Sequence, residues 1–254
     1  MDFETITVEN SGAVGLITLN RPASMNAVCA AMMYELAEAF RNFDAEKTIR
    51  VIVLKGTQDF FAAGTDMSEF VSRQSGDDVD TGLYGNSVRT IASCSKPVIA
   101  AVSGYVFGGG LELVLLSDIV IATDNARFGF PEITLGVLPQ MGGVSLLAER
   151  VGRAKAADML LTGRHISAEE ALACGLVSRV VDSADLLNEA GETAERIAAM
   201  PEAGVRLAKR VLVNAAGVLS NDEETVARLS LMSADAQEGL LALKENRAPK
   251  FKKE

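Results

Sequence analysis

Hydrophobic positions along this chain follow two rhythms, a run-like one in the first part and a three-to-four-residue one that dominates later. Two short runs near the start, Phe3 to Val8 and Val14 to Leu19, are rich in Val, Ile and Thr and flank Asn10-Ser11-Gly12. They predict a hairpin that ends at Asn20-Arg21-Pro22. From Ala30 to Ala45 the apolar residues Met33, Leu36, Ala37, Phe40 and Phe43 recur at helical steps, predicting an amphipathic helix. The runs Val51–Leu54, Val98–Val102 and Ile119–Ala122 are apolar without interruption, the mark of strands buried on both faces, and Leu111–Leu116 reads as a helix between two of them. Strands alternating with helices in this way predict parallel crossover connections and an α/β layered fold.

Past about residue 145 strand signals nearly vanish. Ser167-Ala168-Glu169-Glu170 is a capping-box pattern opening a helix that Gly175 closes, and Pro201 marks another helix start. A last long helix is expected from Asn221, carrying Val226, Leu229, Met232 and Leu240. An apolar stripe that follows an already complete core is expected to pack on a neighbouring copy. Between Val71 and Gly85 the residues turn to Ser, Gly, Asp and Asn, predicting a surface loop beside any site. The sequence shows no internal repeat and no low-complexity tract.

Composition narrows the function. The 254 residues are 48% hydrophobic and 23% charged, and the net charge of −10 gives no basic field for nucleic acid or an anionic membrane surface. Cys29, Cys94 and Cys174 are odd in number and widely spaced, which fits a reducing compartment and makes the cytoplasm the expected location. The acidic start Met1-Asp2-Phe3-Glu4 lacks the features of a secretory signal, and no run reaches the roughly 18 apolar residues of a membrane span. His165 is the only histidine and no Cys-x-x-Cys pair occurs, so no metal is expected.

The chemistry concentrates in two stretches that each follow an apolar run: Phe61-Ala62-Ala63-Gly64-Thr65-Asp66 and Gly108-Gly109-Gly110-Leu111-Glu112. Three successive glycines alone signal a tight turn or a close backbone approach. The triplet does not complete Gly-x-Gly-x-x-Gly and lacks the Gly-Lys-Ser/Thr of a phosphate loop. What remains is a glycine turn opening a helix, whose free N–H groups suit a carbonyl oxygen that becomes negative. Gly64-Thr65 has the same character and also reads as a helix N-cap. Glu112 and Glu132, twenty residues apart, supply two acids; singly, each reads as an ordinary first-turn carboxylate. His165 lies before a capping box, and no serine occupies a Gly-x-Ser-x-Gly elbow, so a Ser-His-Asp triad is set aside.

Several blocks in order resemble the enoyl-CoA hydratase/isomerase (crotonase) family: Leu19-Asn20-Arg21-Pro22 with Asn26-Ala27, the stretch 61–66, Lys96 to Val102, Gly104 to Glu112, Phe128 to Glu132, Gly136, Pro139, Gly142-Gly143 and Leu161-Thr162-Gly163. The resemblance implies a spiral of ββα units over residues 1–197 and a helical oligomerisation region over 198–254, assembling a homotrimer or homohexamer. It implies oxyanion-hole amides at Thr65 and Gly109, with Glu112 activating water and Glu132 protonating C2. It puts coenzyme A near Ala62, Ala63, Asp66 and Met67, with basic residues from Arg247 to Lys253 as phosphate contacts. Two departures from the family stand out: Gln140-Met141 replace a glycine and a small residue, and Thr65 stands where alanine is common. The implied activity is hydration of a 2-enoyl-CoA, a hydro-lyase reaction of fatty-acid β-oxidation type, with coenzyme A entering only as part of the thioester and no separate cofactor. A Δ3-Δ2-enoyl-CoA isomerase and a non-catalytic acyl-CoA-binding protein are the alternatives.

Overall fold

The structure is a computed structural model that describes residues 3–66, 68–69, 84–135 and 138–214, with positions 238, 242, 245, 247 and 250. Strands β1 (Ile6–Ser11) and β2 (Val14–Leu19) form the expected antiparallel hairpin, but the first strand starts at Ile6 and runs on through Asn10 and Ser11, expected as turn, because these pair with Gly15 and Val14; the two-residue loop is Gly12 and Ala13. Helix α1 spans Ala30–Ala45 as the periodicity predicts and buries Met32, Met33, Leu36, Phe40 and Phe43. Its ends are capped from elsewhere in the chain. Glu69 accepts from the Ala30 N–H at 2.9 Å, and the buried Lys96 ammonium donates to the carbonyls of Phe43 and Glu46 at the other end. The orphan groups that every helix leaves are thus satisfied at long range.

Three successive segments then repeat one plan. Strands β3 (Val51–Lys55), β5 (Val98–Val102) and β7 (Ile119–Thr123) enter a large sheet, and each is followed by a short strand of a second sheet: β4 (Phe60–Ala62), β6 (Tyr105–Phe107) and β8 (Arg127–Gly129). Helices α2 (Gly85–Ala92) and α3 (Gly109–Leu115) separate the turns. Two later strands, β9 (Ile166–Ser167) and β10 (Arg179–Val181), complete the sheets: the large one runs β1-β2-β3-β5-β7-β10, parallel from β2 onward, and the small one runs β4-β6-β8-β9. This is the spiral of ββα units. The repeat is one of backbone plan and leaves no sequence period, because the three turns carry different side chains into one shared core.

Alternation along the buried strands fills two cores. Ile52, Leu54, Ala100, Val102, Val120 and Ala122 join α1 in the main one. Val51, Val53, Ile99, Ala101 and Ile121 face Leu186, Ala190 and Ala194 of α7 (Leu186–Ala198) on the other side. Between them in sequence lie α4 (Gly143–Val151), α5 (Arg153–Thr162) and α6 (Ala168–Ala173). Ser167 caps α6 by accepting from the Glu170 N–H at 3.2 Å, and Gly175 follows it at φ +80°. Strand signals do not vanish entirely after residue 145. Strands β9 (Ile166–Ser167) and β10 (Arg179–Val181) extend the two sheets, and both are too short to show a periodicity of their own.

Helix α8 (Glu202–Asn214) follows Pro201 and is tied down by Lys209, whose ammonium meets the Lys96 carbonyl and the Asp118 carboxylate at 2.8 Å each. The helix expected from Asn221 and the loop expected from Val71 lie outside the described residues, apart from Tyr84, Gly85 and a few C-terminal positions. Among the described residues no helix is long and apolar enough to cross a membrane.

Gly104 turns β5 into β6 at φ +58°, and a Cβ there would stand 1.7 Å from the Asp59 carbonyl oxygen. Gly104→Ala is expected to cost about 3 kcal/mol or more through strain and overpacking. Gly191, inside α7 with open space around it, gives the opposite result. Gly191→Ala should stabilise by about 1 kcal/mol. Urea unfolding of both variants measures the contrast.

Candidate active site

The stretch 61–66 is positioned by a tight knot at residues 20–28. Asn26, fully buried, accepts from the Arg21 N–H at 2.8 Å and donates to the Phe61 carbonyl at 3.0 Å. Met25 and Asn26 both sit at positive φ, +48° and +56°, a strained pair held by these bonds. Arg21 donates to the Ala27 carbonyl and to Asp66 at 3.0 Å. Ala63 N–H donates to Met25, Val28 N–H to Gly64, and Asp66 N–H to Val28. Both neighbours of Thr65 are therefore pinned, while its own N–H has no acceptor among the described residues.

The three glycines each meet a different neighbour. A Cβ on Gly108, which has φ +48°, would lie 2.0 Å from Glu132 Oε1; one on Gly109 would lie 2.8 Å from Thr65 Oγ1; one on Gly110 would lie 2.7 Å from the Ala62 methyl. Glycine lets the helix end close onto the other two segments of the site. Gly109 is the first residue of α3, so its N–H has no acceptor within the helix. The N–H-bearing positions Thr65 and Gly109 and the glutamate Glu132 thus converge around one turn.

Glu112 projects from the first turn of α3 and is 1% exposed. Its Oε1 accepts from the N–H groups of Met141 and Gly143 at 2.6 and 2.8 Å, and Oε2 accepts from that of Gln140 at 3.3 Å. Burial pushes its carboxyl up to about 7, against the opposing pull of those three N–H groups, and the nearby Glu132 adds a smaller upward push. Glu132 lies in the 3-10 turn Pro131–Leu135 and is 8% exposed. Its Oε2 is buried with no hydrogen-bond partner among the described residues, and burial raises this carboxyl too. Two desolvated carboxyls stand together, one cradled by amides and one with a bare oxygen.

Known proteins resemble this chain over nearly its whole length. The profile of the family described as Enoyl-CoA hydratase/isomerase matches residues 9–254. The chain belongs to the enoyl-CoA hydratase/isomerase family. It is 43% identical over 258 residues to a probable enoyl-CoA hydratase of Rhizobium meliloti, covering 99% of each chain. A crystal structure of an enoyl-CoA hydratase from Geobacillus kaustophilus superposes with TM-score 0.92 at 36% identity, covering 100% of both chains. One from Bacillus anthracis superposes with TM-score 0.89 at 33% identity, covering 99% of this chain and 100% of that one.

Within this enoyl-CoA hydratase/isomerase fold the remaining expectations divide. Ala62 is fully buried under Gly110, so its methyl faces the protein interior, whereas Ala63 and Asp66 are half-buried. Met67 lies outside the described residues. Arg247 is engaged by Glu238 and Glu245 at 2.6 Å each. His165 is exposed and stacks on Phe107 with ring centroids 4.2 Å apart. Sequence reasoning missed the amide cradle of Gln140, Met141 and Gly143. The departure at 140–141 adds only side chains, and it is the backbone there that holds Glu112. Glycine at 143 was the available signal, since a Cβ would come within 2.9 Å of Glu112.

A carboxyl that ionises near 4.5 in the unfolded chain and near 7 when folded binds its proton more tightly in the native state. Its contribution therefore favours folding at low pH and is lost progressively as pH rises from about 4.5 to about 7, a change of about 3 kcal/mol. Glu112→Gln should flatten this part of the stability profile, leaving only the same-signed contribution of Glu132. Denaturant unfolding at pH 5 and pH 8 for both proteins checks it.

Proposed function

We propose that this protein hydrates 2-enoyl-CoA thioesters, forming 3-hydroxyacyl-CoA. The observation that carries the reading is the pair of buried glutamates set against a helix N-terminus whose first N–H has no acceptor among the described residues. Addition of water to C3 drives the π electrons through C2 onto the thioester oxygen. Two fixed N–H groups, from Thr65 and Gly109, stabilise that oxyanion without reorganising, each contributing on the order of 10²–10³ in rate.

The two acids divide the protons. The O–C3 bond forms as water gives its proton to Glu112, and Glu132 gives a proton to C2 as the enolate collapses. Return of a proton from Glu112 to Glu132 between turnovers restores the starting state. The environments support this division: three backbone N–H groups favour an ionised Glu112, as a base requires, and the bare Oε2 favours a protonated Glu132. Family resemblance assigns the same roles.

In this reading coenzyme A enters with the substrate, passing Ala63 and Asp66, and no other cofactor takes part. The setting is a reducing cytoplasm, consistent with the free thiols of Cys29 and Cys94 buried in the core. The region beyond residue 197 builds a homotrimer or hexamer, supported by the exposed Leu212 and Val213 on α8.

The test is an assay of the purified protein against 2-enoyl-CoAs and 3-enoyl-CoAs of increasing length, following the conjugated-thioester absorbance and identifying products. Hydration of the 2-enoyl substrates is expected; migration of the 3-enoyl double bond without hydration would establish an isomerase, and binding without turnover a carrier. Glu112→Gln and Glu132→Gln are each expected to lower kcat by about 10² or more. For the wild type, kcat/KM should rise as pH passes through about 7, where Glu112 becomes ionised and available as a base. A flat profile between pH 5.5 and pH 8.5, set as about three units around that value, would contradict the role given to Glu112.

A further inference from the structure

The mechanism above takes only a backbone N–H from Thr65, yet its side chain occupies the same pocket. Oγ1 stands 2.8 Å from the point where a Cβ on Gly109 would be, and the same point lies 3.2 Å from Val28 Cβ and 3.3 Å from Met141 Cε. The hydroxyl thus stands beside the first residue of α3. Among the described residues it has no hydrogen-bond partner, and Thr65 is only half-buried. Glu132 Oε2, and not this hydroxyl, is the buried polar atom without a partner among them, so Oγ1 stays open to a group entering the site. The extended backbone of the Val28–Thr65 bridge would accept valine as readily. What distinguishes threonine here is the donor.

We propose that Thr65 is a catalytic residue whose hydroxyl donates a third hydrogen bond to the thioester oxygen, beside the N–H groups of Thr65 and Gly109; this rests on the hydratase reading. Oγ1 and N belong to one residue, so an acceptor bound to the N–H lies within reach of a hydroxyl that rotates to meet it. The proton stays on Oγ1 throughout. Its bond is stronger to the enolate oxygen than to the neutral carbonyl, so it acts on the transition state and appears in kcat more than in KM.

The experiment compares wild type with Thr65→Val, Thr65→Ala and Thr65→Ser, each checked by thermal melting. Two readouts are taken: kcat and KM on a 2-enoyl-CoA, and the pH midpoint at which bound 3-ketoacyl-CoA forms its ultraviolet-absorbing enolate. Thr65→Val and Thr65→Ala should lower kcat about tenfold or more with KM within about twofold, and Thr65→Ser should recover most of the loss. The enolate midpoint should rise by about one pH unit in the valine variant. Wild-type kcat in both the valine and alanine variants, or a loss confined to KM, would overturn the proposal. If the wild type hydrates no enoyl-CoA, the hydratase reading fails by itself, and the enolate midpoint still decides the donor: unmoved, it overturns it. A wild type that neither hydrates an enoyl-CoA nor binds 3-ketoacyl-CoA overturns both.

Discussion

A carboxyl group held out of water and left able to ionise is the constraint around which this structure is arranged. Glu112 is 1% exposed, and desolvation alone would keep it neutral over the whole physiological range. The backbone N–H groups of Gln140, Met141 and Gly143 oppose that by donating hydrogen bonds to its charged form. The balance leaves the group titrating at about 7. Three separate elements have to meet for this to happen: the first turn of α3, the segment leading into α4, and the 3-10 turn that carries Glu132. None has a local reason to be there, so the site is a product of the fold and not of any one motif.

The spiral supplies that meeting. Each turn lays one strand in the large sheet and one in the small sheet, and the chain leaves the small sheet where the chemistry sits: after β4 at Gly64-Thr65, after β6 at Gly108-Gly109, and after β8 at Pro131-Glu132. Because β4, β6 and β8 are adjacent and parallel, their exits are neighbours in space. Sequence separations of about 45 and 23 residues between these exits become close contacts, as the glycine at 109 against Thr65 and the glycine at 108 against Glu132 record.

Much of this was legible in the residues, for identifiable reasons. Helix α1 and the strands β2, β3, β5 and β7 carry strong periodicity or continuous apolar runs, and they fold where those patterns predict. Glu112 and Glu132 were legible as a pair only together with two amide-rich turns, since each by itself looks like a first-turn acid. The short strands β9 and β10 were not legible, because two or three residues cannot display a period, and they form by adding to sheet edges made by distant segments. Nor was the knot of Arg21, Asn26 and Phe61 derivable from spacing. It depends on two positive-φ residues and on a buried amide whose partners lie 5 and 35 residues away, and only the completed fold shows which groups Asn26 satisfies.

The same site explains why some of the molecule is built against its own stability. Glu132 Oε2 is buried without a partner among the described residues, Met25 and Asn26 hold unfavourable backbone angles, and the Glu112 carboxyl is favoured in its neutral form where its use as a base needs it charged. Each is a deviation that general packing would remove, and each lies in a segment that builds the site or holds the stretch 61–66 in place. The compensating contacts lie away from the reacting atoms: Lys96 and Glu69 at the ends of α1, Lys209 with Asp118 beneath α8, and the two apolar faces of the large sheet. Strain and desolvation concentrated at one turn, with well-satisfied contacts elsewhere, is the distribution expected of a protein whose scaffold is stable enough to hold a reactive centre in an unrelaxed state.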